Sequence, residues 1–509
     1  MMNRINNKIE KYQNYLFLIL LLAFYAILDY QTILFLRPQG IHFIRQTDVL
    51  SFVANYFNNG FNFFQPQVFN LQSIEGKAVG EFPVLYYITA LSYLLFGEHE
   101  FILRLLTMAI ASTGFFCLFK LLNSLLHDLF YAITFSFLFI SSTILLYYVN
   151  NFLPDASALG FTLIGWYFFF AYLKNEKKQS SLLATYIFFT LASLIKVTYF
   201  ISPIAAIASI LYSGFSNRTS IRKIVRNNFV LLLFFTTSLV LVLGWNLYVI
   251  RYNMVYQDHY FLIHSTPIWS LSKTRIIEVW DFITHYWYSK YYFQSTIHFF
   301  VSIIFVGVFF KRKSERMLGI LTFFLALGSM CYFVLFYAQF KDHDYYFIAL
   351  IPAIIFLVMN AFITLRNKFP KWINSYITKA LLLLLCVLSL NYAREKLIQR
   401  YKNTELLNGG IVTLLAETRN YIDSIGISDD AKFVVMTDAT PNGGLYFINR
   451  PGWTLKDDSE ASLLLLDSYI NQGANYILFT DKKYVNTAIT SYKVGENNGV
   501  LIYKLVKRN

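Results

Sequence analysis

The sequence predicts a mainly α, polytopic membrane protein of about eleven transmembrane helices, closed by a small C-terminal α/β domain. Three observations predict it. Hydrophobic residues fill 56% of 509 positions and charged residues 14%, with a mean hydropathy of +0.47, far from a soluble average. The apolar residues gather into runs long enough to cross ~30 Å of hydrocarbon as helices. The net charge of +14 lies in short basic clusters between those runs, which sets membrane orientation and gives no reason to expect a nucleic-acid partner.

The first polar segment, Met1 to Gln13, carries Arg4, Lys8 and Lys11 and precedes an apolar run at 15–36. No small-residue cleavage site follows that run, so an uncleaved first span is expected. Further spans are expected near 101–122, 130–149, 156–173, 181–197, 199–213, 228–249, 294–310, 317–336, 345–363 and 377–393. With the N-terminus inside, the strong basic clusters share its side: Lys174/Lys177/Lys178, Arg218/Arg222/Lys223/Arg226, Lys311/Arg312/Lys313/Arg316 and Arg366/Lys368/Lys371. The other connections (37–100, 150–155, 198–200, 250–293, 337–344) and the tail then face the extracytoplasmic side. They hold Asp48, Glu81, Asp155, Asp258, His259, His343 and Asp344, so chemistry is expected there.

The domain plan is a transmembrane core at 1–393, with a first extracytoplasmic loop at 37–100, and an extracytoplasmic α/β domain at 394–509. In the loop, Val49–Phe57 and Phe82–Phe96 are apolar enough for interfacial helices, with Tyr56, Tyr86, Tyr87 and Tyr93 at headgroup depth. In the tail, helices are expected at 405–425 and 461–472, strands at 431–436, 475–480 and 499–505, and a turn at 438–444 containing Pro441, Gly443 and Gly444. Cys117, Cys331 and Cys386 fall in apolar runs without metal-ligand spacing and are expected as core residues. His259, His264 and His285 show no ligand spacing either.

The string Arg45-Gln46-Thr47-Asp48, then Phe57-Asn58-Asn59-Gly60, Pro66, Glu81-Phe82-Pro83, Phe96-Gly97 and Arg104 resembles the first-loop signature of bacterial polytopic glycosyltransferases. These resemble the protein O-mannosyltransferase and aminoarabinose transferase families of the class C glycosyltransferase superfamily. Pro154-Asp155, Lys196 and the stretch from His343-Asp344-Tyr345-Tyr346 to Pro352 are similar to later landmarks of that group. Two departures stand out. Relatives carry an Asp-Glu pair where this chain has Asp48-Val49, and aminoarabinose transferases have Lys-Pro-Pro where it has Glu81-Phe82-Pro83.

The resemblance implies a class C fold and a hexosyl- or pentosyltransferase in a bacterial inner membrane. Such an enzyme moves a sugar from a polyprenyl-phosphate donor to a lipid, glycan or protein acceptor. Asp48 and Glu81 are then the catalytic candidates, Asp48 as general base and Glu81 orienting the acceptor. Arg45, Gln46, Arg104, Asp155, Lys196, His343, Asp344 and Tyr345 are the substrate-binding candidates, since a departing phosphate needs cations and donors. Asp48, Glu81 and Asp155 are also oxygen ligands of the type a divalent cation favours. The polyprenyl tail is expected in a groove of Phe and Leu among the membrane lipids. Each residue has a plainer reading: Asp48 as a turn residue, Asp155 as a helix cap, and Lys196 reaching for the interface. The competing function is a transporter or flippase of lipid-linked glycans, for which inverted repeats or charged mid-membrane segments would speak; the sequence shows neither.

Overall fold

The computed structural model describes residues 2–174, 178–261, 265–310, 316–402, 415, 417–457, 459–480, 482–485 and 491–506. Lys177, His264, Lys311, Arg312, Lys313 and most of the 405–425 helix expectation lie outside the described residues. The chain forms two compact units. One is built from Met1–Leu34, Arg104–Asn246 and His264–Ile398; the other from Phe35–Leu103, Leu247–Ile263 and Gln399–Asn509.

The first unit is helical. Among the described residues, the chain has seven helices long and apolar enough to cross a membrane, or up to nine if each bent pair forms one span; this differs from the eleven expected, although every expected run is helical. The run at 15–36 breaks after Ile27 and resumes as the short helix Tyr30–Ile33. Asp29 then takes a left-handed backbone conformation, φ 58°, and its carboxylate accepts hydrogen bonds from Gln31 and Thr32. The run at 130–149 is two helices, Leu129–Ile140 and Thr143–Val149, bent by 80°. Ser141 and Ser142 cause the break: Ser142 Oγ donates to the Tyr291 carbonyl at 2.9 Å, and such side-chain bonding competes with a continuous helix. Lys273–Tyr291 and Gln294–Phe309 meet at 102°. The span-length helix Asp155–Lys174 packs against Phe101–Leu126 through Gly160 and Gly114; a Cβ on Gly160 would lie 2.7 Å from the Ile110 carbonyl oxygen. Around Trp166, the aromatic rings of Phe169, Phe189 and Phe356 fill a buried layer. Cys117 and Cys386 are buried as expected, but Cys331 is exposed, because it sits on the outer face of the Arg316–Leu335 helix.

The second unit is organised by a five-stranded sheet: β1 Phe433–Met436, β2 Gly452–Leu455, β3 Tyr476–Phe479, β4 Ser491–Asn497 and β5 Val500–Leu505. The order is β2-β1-β3-β5-β4; β1 pairs parallel with β2 and β3, while β5 is antiparallel to β3 and β4. Side chains of β1 alternate, Phe433 and Val435 into one core layer and Val434 and Met436 into the other. Strands β2 and β4 were not expected from sequence: β2 is only four residues long, and β4 is a polar, exposed edge. Beyond β2 the loop segment joins the edge, with Leu71 N donating to the Gly452 carbonyl at 2.8 Å and Gly452 N donating to that of Phe69 at 2.9 Å.

The helix Phe43–Asn58 belongs to this unit and is buried along most of its length, Phe43 entering the same core layer as β1. This corrects the interfacial expectation for 49–57: an apolar helix beside a sheet is covered by protein. The helix Val84–Phe96 keeps an exposed apolar side, Ile88, Leu91, Leu94, Leu95 and Phe96, yet Tyr86 and Tyr93 are buried, as is Tyr56, so these tyrosines are covered by protein. The last long helix, Tyr376–Lys402, runs through residue 394 without a break, and the division between units falls at Ile398/Gln399.

Candidate active site

Two polar clusters emerge, one within each unit. In the sheet-bearing unit the centre is Asp48, in the second turn of the Phe43–Asn58 helix, 0% exposed. Tyr260 donates its hydroxyl to Asp48 Oδ2 at 2.8 Å, and Asn442 Nδ2 donates to Oδ1, also at 2.8 Å. Arg45, one turn earlier, brings Nη1 within 3.6 Å of Oδ2, while its Nη2 makes a direct ion pair with Glu81 Oε1. Tyr86 donates to the other Glu81 oxygen at 3.3 Å. The guanidinium therefore lies between two carboxylates and bonds the loop carboxylate more directly than the helix one.

Burial dominates the protonation of Asp48. It pushes the carboxyl up to about 6, against the opposing pull of Arg45 and of the hydrogen bonds from Asn442 and Tyr260; Glu81 adds a smaller upward push. The Tyr260 phenol is raised as well, first by burial and then by the Asp48 charge. A carboxyl poised near neutrality beside a hydroxyl and an amide is chemically able to take up a proton.

The loop that presents Asn442 has its own scaffold. Asp438 accepts from Thr440 N at 2.8 Å, Thr440 Oγ1 at 2.7 Å and Gly444 N at 2.7 Å, and Thr440 Oγ1 accepts from Gly443 N at 2.9 Å. A Cβ on Gly444 would lie 2.7 Å from Asp438 Oδ2, so only glycine allows this closure. Part of the expected 438–444 turn thus becomes the start of the helix Gly443–Ile448.

In the helical unit a second cluster gathers at helix ends. Asp155 opens the helix Asp155–Lys174, and Lys196 follows the last residue of Gln179–Ile195; the two pair at 2.5 Å. Each charge complements the helix end it occupies. The ammonium lies 4.2 Å from the Tyr345 ring centre and 5.3 Å from that of Tyr346, and His343 packs against both rings. Asp344, buried, accepts from the Tyr148 hydroxyl at 2.6 Å, and Tyr199 donates to the Asp155 carbonyl at 3.1 Å.

Of the residues expected from sequence, Arg45, Asp48 and Glu81 come together in one unit, and Asp155, Lys196, His343, Asp344 and Tyr345 in the other. Gln46 anchors the turn before the helix, its buried amide donating to the carbonyls of Gln39 at 2.7 Å and Ile41 at 3.1 Å. Arg104 is fully buried, donating to the Asn150 carbonyl at 2.5 Å and lying 4.1 Å over the Phe152 ring. Sequence reasoning missed Tyr260, Asn442, Tyr86 and Tyr148. Asn442 is 394 residues from Asp48 and its only local signal was the Pro441-Asn442-Gly443-Gly444 turn.

Among the described residues no group of three or more His, Cys, Asp or Glu could hold a metal ion. Asp48 and Glu81 do not fit a divalent cation as they stand: Tyr260 and Asn442 hold the two Asp48 oxygens, and the Arg45 guanidinium already lies between the carboxylates.

The architecture is that of the class C glycosyltransferases, a helical membrane unit with a small C-terminal sheet. ArnT from Cupriavidus metallidurans superposes in its apo state with a TM-score of 0.60 at 11% identity, over 96% of this chain and 98% of that one. Its undecaprenyl phosphate complex gives 0.57 at 12% identity, over 96% and 98%. The archaeal oligosaccharyltransferase AglB from Archaeoglobus fulgidus, in complex with an inhibitory peptide and a dolichol-phosphate, gives 0.55 at 12% identity, over 92% of this chain and 70% of that one. At such identity what is shared is the fold. Residues 80–245 match the family described as dolichyl-phosphate-mannose-protein mannosyltransferase, a stretch that includes Glu81, Arg104, Asp155 and Lys196. No curated protein matches the sequence.

Proposed function

We propose that this protein is an integral membrane glycosyltransferase that takes a sugar from a polyprenyl-phosphate donor and passes it to a lipid, glycan or protein acceptor on the extracytoplasmic face of a bacterial inner membrane. The observation that carries the reading is the buried Asp48 carboxyl, raised to about 6, set beside Arg45 and Glu81 on a class C fold. Asp48 takes the proton of the acceptor hydroxyl or amine as the acceptor atom bonds to the anomeric carbon. The bond from that carbon to the phosphate oxygen breaks, and the electron pair leaves with the polyprenyl phosphate. Arg45 keeps Glu81 and Asp48 in register, and Glu81 orients the acceptor. In the helical unit, Lys196, held by Asp155 and the Tyr345 and Tyr346 rings, is a positive charge of the kind a phosphate takes. The undecaprenyl phosphate bound to ArnT and the dolichol-phosphate bound to AglB support this donor class.

The test is turnover of undecaprenyl-phosphate sugars by the purified, detergent-solubilised protein with membrane extract supplying acceptors, wild type beside Asp48→Asn. Donor consumption and polyprenyl phosphate release by the wild type alone, with both proteins eluting as the same species, sustain the reading. Equal consumption by both moves the base elsewhere. If neither consumes donor, translocation of lipid-linked glycans is the activity to assay.

A further inference from the structure

The Asp48 carboxylate is held by two side chains that neighbour it in neither helix nor loop sequence, and one of them comes from the C-terminal part of the chain. We infer that Asn442 is a positioning residue for Asp48, so that the C-terminal sheet region completes the catalytic centre instead of merely decorating it; this rests on the reading of Asp48 as the general base.

The geometry around Asn442 is fully determined. Its side chain is 1% exposed. Its Oδ1 accepts from the backbone N–H of Asn70 at 3.0 Å, which fixes the amide orientation, because an oxygen must face that donor. The NH2 group is thereby aimed at Asp48 Oδ1, 2.8 Å away. Asn70 returns a second bond, its Nδ2 to the Pro441 carbonyl at 2.6 Å. The loop behind is closed by Asp438, whose two oxygens take three donors from Thr440 and Gly444. An amide locked on both sides cannot swing away, so the Asp48 carboxylate plane is set by a rigid donor.

Such a donor has a chemical consequence. Hydrogen bonds to the ionised form favour it, and Asn442 is one of the few forces opposing burial at this carboxyl. The titratable and charged groups facing Asp48 are Arg45, Glu81 and Tyr260, with Asp258 beside Tyr260. Without the amide, burial is opposed only by Arg45, shared with Glu81, and by Tyr260. Less of the base is ionised at neutral pH, and its rotamer is held at one oxygen instead of two. The turnover number falls and the acid limb of the pH profile moves up, while donor affinity is untouched.

The experiment uses the full-length protein with undecaprenyl-phosphate sugar as donor and follows turnover against pH for the wild type, Asn442→Asp, Asn442→Leu and Asp48→Asn. Asn442→Asp keeps an acceptor for the Asn70 N–H, so the loop anchor survives, but it sets a second carboxylate against Asp48. The expected result is an acid limb raised by about one pH unit or more and a kcat lowered by about tenfold or more near pH 7. Donor KM stays within about twofold. Asn442→Leu shows the same direction of change in kcat. An acid limb and kcat matching the wild type in both Asn442 variants, with Asp48→Asn inactive, overturn the inference and leave the base reading standing. Wild-type turnover by Asp48→Asn overturns the base reading itself. Failure of both Asn442 variants to elute as the folded species assigns Asn442 to the scaffold alone and likewise overturns the inference.

Discussion

The two polar clusters handle a buried carboxylate in opposite ways. Asp155 is neutralised at contact distance by Lys196 at 2.5 Å, and the ammonium is further covered by two tyrosine rings. Asp48 receives two neutral donors, while its nearest cation stands at 3.6 Å and is committed to Glu81. The first arrangement joins two opposite charges at contact distance; the second leaves a carboxyl in a dry site that burial pushes up to about 6. The difference separates a cluster suited to holding charge from one suited to moving a proton, and each can be perturbed separately.

The largest expected effect falls on the proton-moving side. Asp48→Asn preserves shape but removes the proposed base, and general-base catalysis is typically worth ~10²- to 10⁴-fold, so kcat for donor consumption should drop by about that factor with donor binding retained. Steady-state turnover together with equilibrium binding of the donor phosphate checks both halves. A drop in affinity without a drop in kcat would reverse the roles assigned to the two clusters.

The next effect is on the charge-holding side. Removing one partner of a buried pair leaves an uncompensated charge, at a cost of roughly 3–5 kcal/mol when burial is complete. Lys196 keeps 18% side-chain exposure, so Lys196→Met should cost less than that ceiling. The double variant Lys196→Met with Asp155→Leu should recover much of the loss. Thermal unfolding of the two single variants and the double variant measures the coupling; simple additivity would mean that the 2.5 Å pair contributes nothing to folding.

Stability against pH sharpens the contrast. The folded Asp48 carboxyl, at about 6 against 3.8 unexposed to burial, binds its proton more tightly than the unfolded chain does. Its contribution to stability is therefore fully present below about 3.8 and lost as pH rises through about 6, a swing of about 3 kcal/mol. Asp48→Asn should accordingly melt a few degrees above the wild type at pH 8, with the gap closing toward pH 4. The expected catalytic rate runs the other way, rising with pH through a limb near 6. Opposite trends in the same carboxyl are what a functional group held at a cost to folding produces; equal melting curves at pH 8 would mean that the site is wetter than its burial suggests.

How much of this was legible in the sequence follows from the range of the interactions involved. Apolar runs report helices because burial in lipid or protein demands them locally, so each expected span is helical. Where the runs break, the cause is a side-chain hydrogen bond, as at Ser142 to the Tyr291 carbonyl, whose partner lies far along the chain. The charged residues of both clusters stood out because a carboxylate or ammonium in an apolar chain is costly and rare. Tyr260 and Asn442 did not, since a tyrosine among 38 and an asparagine in a turn are ordinary until the fold brings them to Asp48. The same blindness placed Val49–Phe57 at the membrane surface, because hydropathy cannot tell a lipid face from the face of a sheet.

The smallest expected effect concerns Gln46, which the resemblance set among the substrate contacts and whose amide bonds the turn before the helix. Gln46 spends its amide on the carbonyls of Gln39 and Ile41, one residue from Arg45 and two from Asp48. Gln46→Leu removes both of these hydrogen bonds, each worth about 1 kcal/mol. The protein should therefore melt slightly lower, and because the turn leads into the first turn of the helix that carries Asp48, any kinetic change should follow the loss of order there and fall on kcat rather than on donor KM. A raised donor KM at an unchanged melting temperature would return Gln46 to the substrate site, and with it the view that the Arg45-to-Asp48 string acts as one binding surface instead of a base held by a structural turn.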